Sequence, residues 1–421
     1  MLKKRTMLFA GMIVAALSLT ACSTGSTTSE GKTLTIAATT TSKPAVVKII
    51  SAFEKANPGV TVRATYAETD ALVTTLRTQL SSGTAPDVFS VWPGYGNAAG
   101  MNILQKSGYL ADLSDQSWVS DIPAGLKKLT TVNKKTYILP VAVVGIGAIY
   151  NEQAVTAAGG TVPTTFPEVL KFCDAATKAG KVAFALGNQA AWVTQLVNYA
   201  LVPTTVFEKD PNFDAKMAAG KATFASSGWK KAFNEYIEMN TRHCFNDDSL
   251  GTSFETSVTD VAKGNALAVV QVTSTIAQVR AEAPAGAKFS LFALPGDSNA
   301  ADTWMPAAMG DTYGVNAKSK VPTLAKKFLA FLSSSQQIAN YATTAGTLPA
   351  LPSKDYKVDP ALKVLVDFQA KGRTYPFMDQ LWPNTKIQSV HLDGVQKVFA
   401  GTESVDDVLK AMDAAYAEGI H

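Results

Sequence analysis

Residues 137–151 read Tyr-Ile-Leu-Pro-Val-Ala-Val-Val-Gly-Ile-Gly-Ala-Ile-Tyr-Asn, an apolar, β-branched run without a charge. A run of that kind reads as a long strand buried on both faces, since a half-exposed strand would alternate apolar with polar residues. Pro140 has no N–H to give to a ladder, so it belongs at a strand's beginning or edge. Gly145 and Gly147 suit a bend or a close backbone approach. We read the run as a strand that starts in one packed body, bends at its glycines and ends in another, the first crossover between two lobes. The competing reading is an ordinary buried strand within one domain.

The residues before it set the fold class. Thr33–Ala38 alternate as a strand, and a polar turn, Thr39-Thr-Thr-Ser42, leads to a helix with Pro44 in its first turn. Val46, Ile49, Ile50 and Phe53 share one face of that helix, which Asn57-Pro58-Gly59 ends. Val60, Val62, Ala64 and Tyr66 alternate as a second strand. Leu72, Val73, Leu76 and Leu80 line a second helix closed by Gly83, and Asp87–Val91 is a third strand. Strand, helix, strand, helix, strand is the pattern of a parallel sheet with helices on its faces, hence an α/β fold.

The first 21 residues read as a targeting segment, with basic Lys3, Lys4 and Arg5 followed by an apolar Met7–Leu17 too short to span a bilayer. Leu19-Thr20-Ala21-Cys22 looks like a bacterial lipobox, in which Cys22 becomes the lipidated first residue of the mature chain; the other reading is a plain secretory signal. Residues 22–32, rich in Ser, Thr and Gly, have the composition of a flexible tether. Together they predict a protein held at a membrane surface, on the extracellular or periplasmic face of the cell membrane. Of the net charge of +4, the targeting segment carries three positive charges, leaving about +1. That balance gives no electrostatic case for nucleic acid. About 400 mature residues exceed a single core, so two domains are expected.

With Cys22 set aside, Cys173 and Cys244 remain in an exported chain, either paired or as two separate buried thiols. The histidines, His243, His391 and His421, are not spaced for a metal site. We expect neither metal nor cofactor.

In α/β sheets ligands sit at the carboxyl ends of strands. The first such end carries Thr40, Thr41 and Ser42, whose hydroxyls could hydrogen-bond a ligand. The third strand ends at Trp92, with Tyr95 nearby in a Pro-Gly-Tyr-Gly loop; an indole there either caps the core or stacks on a flat apolar face such as a sugar ring.

Three segments carry a resemblance: Ala52-Phe-Glu-Lys-Ala-Asn-Pro-Gly-Val-Thr-Val62, Ser82-Gly-Thr-Ala-Pro-Asp-Val-Phe89 and Ala148-Ile-Tyr-Asn151. With Pro163-Thr-Thr-Phe-Pro-Glu168, Phe292–Gly296, Tyr313–Lys320 and Ala325–Leu332 in the same order, the chain from about residue 33 onward resembles the family 1 extracellular solute-binding proteins of bacterial ABC importers, the carbohydrate-binding branch. The resemblance implies a two-lobed, periplasmic-binding-protein-like clamp with three hinge crossings, near 140–146, 293–297 and 346–351. The first lobe would comprise 33–142 and 295–345, the second 143–294 and 346–421. Cys173 and Cys244 then share a lobe, which supports their pairing.

The resemblance also implies site residues. Trp192, after the strand Val182–Leu186, matches the place of an aromatic presented to the sugar. Trp382, in Phe377-Met-Asp-Gln-Leu-Trp382, matches a late aromatic over the cleft. Asp311 in Gly310-Asp311 matches a turn facing the ligand, and Trp304 is a weaker candidate. After the strand Ala266–Val272, where many members place a tryptophan, this chain has Thr273-Ser-Thr-Ile276, leaving hydroxyls instead. Trp229 reads as packing, Asp87 as a loop brace and Tyr150-Asn151 as a structural strand end.

No phosphate loop, H-E-x-x-H or G-x-S-x-G motif occurs, and Gly145-Ile-Gly147 lacks the third glycine of a dinucleotide fingerprint. The expected function is therefore binding without catalysis: a monomeric receptor that captures a sugar or oligosaccharide between closing lobes and delivers it to a membrane permease. The alternatives are a receptor for a non-sugar solute, such as a polyamine or phosphate ester, and a lipid-anchored carbohydrate-active enzyme.

Overall fold

The computed structural model describes residues 31–419. The expected targeting segment 1–21, the expected lipidation site Cys22, most of the expected tether and His421 lie outside the described residues. Among the described residues, no helix is long and apolar enough to cross a membrane.

The chain opens with β1 (Thr33–Thr39), α1 (Lys43–Ala56), β2 (Thr61–Ala67), α2 (Thr69–Ser82) and β3 (Val88–Ser90). β1 pairs in parallel with β2 and β3, as strands joined by crossover helices must in one sheet. Alternation along the strands feeds a core on each face. Leu34, Ile36 and Ala38 face one side with Val88, while Ala37 and Phe89 face the other. Helix α1 buries Val46, Ile49 and Phe53, and the Phe53 ring lies edge-on to Phe328 and Phe331 at 5.1 and 5.3 Å. Burying such a ring stabilises by roughly 1.5–3 kcal/mol. Helix α2 stops at Gly83, whose φ of +73° is left-handed.

The 137–151 run changes sheets as expected, though not at its glycines. β4 (Ile138–Pro140) is the edge strand of the first sheet, where the missing N–H of Pro140 does no harm. After Val141, β5 (Ala142–Asn151) is the centre of a second sheet. Gly145 and Gly147 lie within β5 for close approach: a Cβ on Gly147 would meet the Phe292 carbonyl oxygen at 2.7 Å, and one on Gly145 would meet Leu365 and Met305 side chains at 2.9 Å.

The second lobe continues with α3 (Phe166–Lys178), β6 (Val182–Ala185), α4 (Gly228–Thr241), β7 (Ala266–Val272) and β8 (Phe289–Phe292). β7 and β8 both pair antiparallel with β5, and β6 pairs in parallel with β7. Cys173 on α3 and Cys244 just after α4 form a disulfide, both fully buried. Trp229 on α4 is also fully buried, in keeping with a packing role.

The return passage falls later than 293–297. β9 (Met305–Met309) still pairs with β5, Ala307 opposite Gly145, and residues before it are tied to the second lobe by Lys231–Asp297 and Lys209–Asp302 contacts. The first sheet resumes only at β10 (Thr312–Val315), so the chain crosses at Gly310-Asp311. Two helices follow, α5 (Pro322–Leu332) and α6 (Ser335–Ala345), the latter packed on α1. β11 (Leu348–Pro349) pairs with the start of β5. The chain ends in the second lobe with β12 (Thr374–Tyr375), α7 (Thr385–Phe399) and α8 (Val405–Ala417). The first sheet is ordered β2-β1-β3-β10-β4 and the second β12-β9-β5-β7-β6.

Candidate functional site

Between the two lobes lies a cavity of about 360 Å³. Its floor is the crossing strands: Val144 and Ile146 of β5, Met309 at the end of β9, then Gly310 and Asp311. The first lobe contributes Thr39 and Thr41 from the β1–α1 turn, Asp70 from α2, and Trp92 just beyond β3. From the second come Trp192, Gln195, Tyr199, Ser274, Asp379, Gln380 and Gln388. Strand ends thus supply the first wall, as the topology dictates.

The expected residues divide. Thr41, Trp92, Trp192 and Asp311 line the cavity. Ser42 is buried beneath it, its hydroxyl donating to the Thr39 carbonyl at 3.0 Å. Thr40 donates its hydroxyl to Glu68. Tyr95 and Trp304 stand outside the lining; the Trp304 backbone N–H donates to Thr204 Oγ1 at 3.0 Å. Trp382 is a core residue, 4% exposed. Its ring lies edge-on to Tyr199 at 6.2 Å and Phe224 at 5.9 Å, and tilted against Trp229 at 6.0 Å. Tyr199 takes the cavity wall there, with Trp382 at its back. The segment around residue 380 does reach the cleft, but through Phe377, Asp379 and Gln380.

The polar lining combines hydroxyls and amides with three carboxyls, Asp70, Asp311 and Asp379. Burial pushes the Asp311 and Asp379 carboxyls each up to about 6, opposed by the nearby Tyr341 and Tyr199 hydroxyls respectively. Among the described residues, Asp311 Oδ2 and Gln380 Oε1 are buried without a hydrogen-bond partner, as are two donors of the lining, Trp192 Nε1 and the Tyr199 hydroxyl. The Gln380 amide donates to the Met309 carbonyl at 2.8 Å, tying the second lobe to the crossing strand. Burial also raises Asp70, against the pull of the Trp192 and Ala191 N–H groups. Trp192 is 9% exposed and tilts against Phe254 at 5.1 Å.

The lobes touch around the cavity. The Trp192 backbone N–H donates to Asp70 Oδ2 at 3.4 Å, and the Gln278 amide donates to the Thr40 carbonyl at 3.4 Å. Asp87 braces its loop, accepting from Thr35 N–H at 2.9 Å and from the Ser319 hydroxyl at 2.7 Å, and Asn151 caps a helix through Ala154 N–H at 3.0 Å. Sequence reasoning missed Asp70, Gln195, Tyr199, Asp379, Gln380 and Gln388. The quoted segment Phe377–Trp382 contained two of them, and the hydroxyls expected after β7 are present as Ser274. Among the described residues no group of three His, Cys, Asp or Glu side chains could hold a metal ion.

Known proteins share this architecture. The multiple sugar-binding protein of Streptococcus mutans is 23% identical over 345 residues, covering 80% of this chain and 79% of its own. The solute-binding protein RafE solved with raffinose superposes with a TM-score of 0.74 at 19% identity, covering 91% of this chain and 99% of its own. A Bacillus licheniformis sugar transporter protein in complex with stachyose gives 0.74 at 19% identity, covering 92% and 99%. At that identity these structures establish the two-lobed fold. The family described as "Bacterial extracellular solute-binding protein" matches residues 37–339, and the chain belongs to it.

Proposed function

We propose that this chain is the substrate-binding subunit of an ABC importer for a sugar or short oligosaccharide, captured between the lobes and passed to a membrane permease. The observation that carries this reading is the cavity itself: indoles from both lobes, Trp92 and Trp192, with carboxyls and amides interspersed, and no Lys, Arg or His in its lining. Indole faces suit the apolar faces of pyranose rings, and acceptors such as Asp311 and Gln380 suit their hydroxyls. The absent cations speak against a phosphate ester. The relatives named for sugars support the same choice.

A ligand touching both walls makes all its contacts only when the lobes are together, so binding favours closure. The closed form is then the state that docks on the permease. The lipobox-like Leu19–Cys22 and the tether behind it support a chain held by lipid on the outer face of the cell membrane. Chemistry on the bound sugar is not part of this reading.

The test is thermal unfolding of the purified protein against a panel of mono- and oligosaccharides. A saturable rise in midpoint with the sugar recovered intact is expected. No shift with any carbohydrate would overturn the sugar reading, and a consumed sugar would overturn the receptor in favour of an enzyme.

A further inference from the structure

At its end around the crossing strand the cavity presents two carboxyls whose neighbouring donors are neutral tyrosine hydroxyls, Tyr341 at Asp311 and Tyr199 at Asp379. Asp311 at the crossing and Asp379 in the second lobe lie on segments joined by the hydrogen bond from Gln380 Nε2 to the Met309 carbonyl. Asp379 is 6% exposed and Gln380 5%. Asp311 Oδ2 and Gln380 Oε1, both buried, have no partner among the described residues. The nearby backbone donors are already engaged: Gly310 N–H on the Ala142 carbonyl at 3.0 Å, and Val141 and Ala142 N–H on the Asp311 carbonyl at 2.9 and 3.2 Å.

Among the described residues the cavity lining holds no Lys, Arg or His. The side chains around Asp311 are Tyr313 and Tyr341, whose hydroxyls bond each other at 2.9 Å, and Tyr199 stands beside Asp379. His391, behind Tyr199, is fully buried and held neutral, its pKa lowered to about 3 by desolvation. Asp70 adds a third carboxyl to the lining. Buried carboxylates without a counter-charge are costly unless a partner arrives. That both carboxyls are pushed up to about 6 is the same cost seen as protonation.

We infer that this end of the cavity receives the ammonium of a small amino sugar, resting on the sugar reading above. An ammonium brings three N–H donors and one positive charge to a place that offers acceptors and negative charge. A neutral ring can donate its hydroxyls to these acceptors, but an ammonium in the same place adds a full positive charge to the hydrogen bonds. The faces of Trp92 and Trp192 accommodate the ring and favour a cation nearby. At about 360 Å³ the cavity lies near the small end of ligand sites, which span roughly 300–1,000 Å³, so it suits one or two rings.

The experiment is calorimetric titration of the purified protein with matched sets: glucosamine, galactosamine, mannosamine and the β-1,4-linked glucosamine disaccharide, each beside its N-acetyl and its hydroxyl counterpart. At pH 7.5, at least one amine is expected to bind 10-fold or more tighter than both neutral partners. That preference should shrink in Asp379→Asn and in Asp311→Asn, variants that keep side-chain size, and should shrink in the wild type as pH falls below about 6, where the carboxyls protonate. Neutral sugars binding as well as every amine would overturn the inference and leave the sugar reading standing. Binding of putrescine or spermidine with no sugar bound would overturn both.

Discussion

Gly96 of the first lobe packs so closely on Asp379 of the second that a Cβ would lie 2.0 Å from the Asp379 carbonyl oxygen. The neighbouring Gly94 approaches the Gln380 carbonyl oxygen in the same way, at 2.2 Å. Both contacts run between the lobes at the edge of the cavity, so these glycines set how near the walls can come. Gly96 is the cleaner probe, because Gly94 also has a φ of +74° and any side chain there would be strained. Gly96→Ala is expected to leave each lobe folded and to hold the walls apart. Ligand affinity should fall at least ~10-fold, which corresponds to about 1.4 kcal/mol, with the unliganded unfolding midpoint little changed. Unaltered affinity by calorimetry would show that this contact does not govern closure.

Tryptophans that look equivalent in the sequence should behave differently. Trp92 lies partly open on the cavity wall, so Trp92→Ala should weaken sugar binding by ~10-fold or more with a small effect on folding. Trp382 is locked among Tyr199, Phe224 and Trp229, and Trp382→Ala should cost about 3–5 kcal/mol of stability. Urea denaturation and ligand titration on the same two variants separate the roles. Equal stability losses would contradict the assignment.

That contrast shows what the sequence could carry. The 137–151 run announced a strand joining two bodies because its composition suits burial on both faces, and the hydroxyl turn and Trp92 followed from strand ends. Yet residues 378–382 form a single turn, and no local pattern says which of Asp379, Gln380 and Trp382 faces the cleft. That is decided by Tyr199, nearly two hundred residues away, which takes the wall and leaves Trp382 in the core. The return crossing was read too early for a similar reason. Ala293–Asp297 has the composition of a loop leaving a domain, but β9 then pairs back onto β5, and register with a distant strand cannot be read locally. Asp70 was invisible as a cavity residue, because its surroundings on α2 read as an ordinary exposed helix start.

The Cys173–Cys244 disulfide joins α3 to the end of α4 across a separation of 71 residues. Closing a loop of that size should stabilise by about 4 kcal/mol through the unfolded chain. The Cys173→Ser/Cys244→Ser double variant, or the wild type after reduction, should lose roughly that much in urea unfolding, with the second lobe affected first. Two thiols reacting in the unfolded, unreduced protein would contradict the bond.

Stability should also depend on pH with two opposite slopes. The Asp379 carboxyl keeps its proton to about 6 in the folded protein, against an ordinary value near 3.8. Its contribution is therefore full below about 3.8 and lost as pH rises through 6. His391 is the reverse: its pKa falls from 6.5 to about 3 on burial, so its contribution is full above 6.5 and lost as pH falls toward 3. Between pH 4 and 6 the two oppose, each with a slope of up to about 1.4 kcal/mol per pH unit, and Asp311, also raised to about 6, adds to the first, so the wild type alone mixes them. Single variants separate them. Relative to Asp379→Asn, the wild type should gain stability as pH is lowered from 6 to 4. Relative to His391→Gln, which can keep a polar contact to Asn198, it should lose stability over the same range. Urea unfolding at half-unit steps reads both differences; a flat difference for either residue would mean that its folded pKa is not displaced by burial.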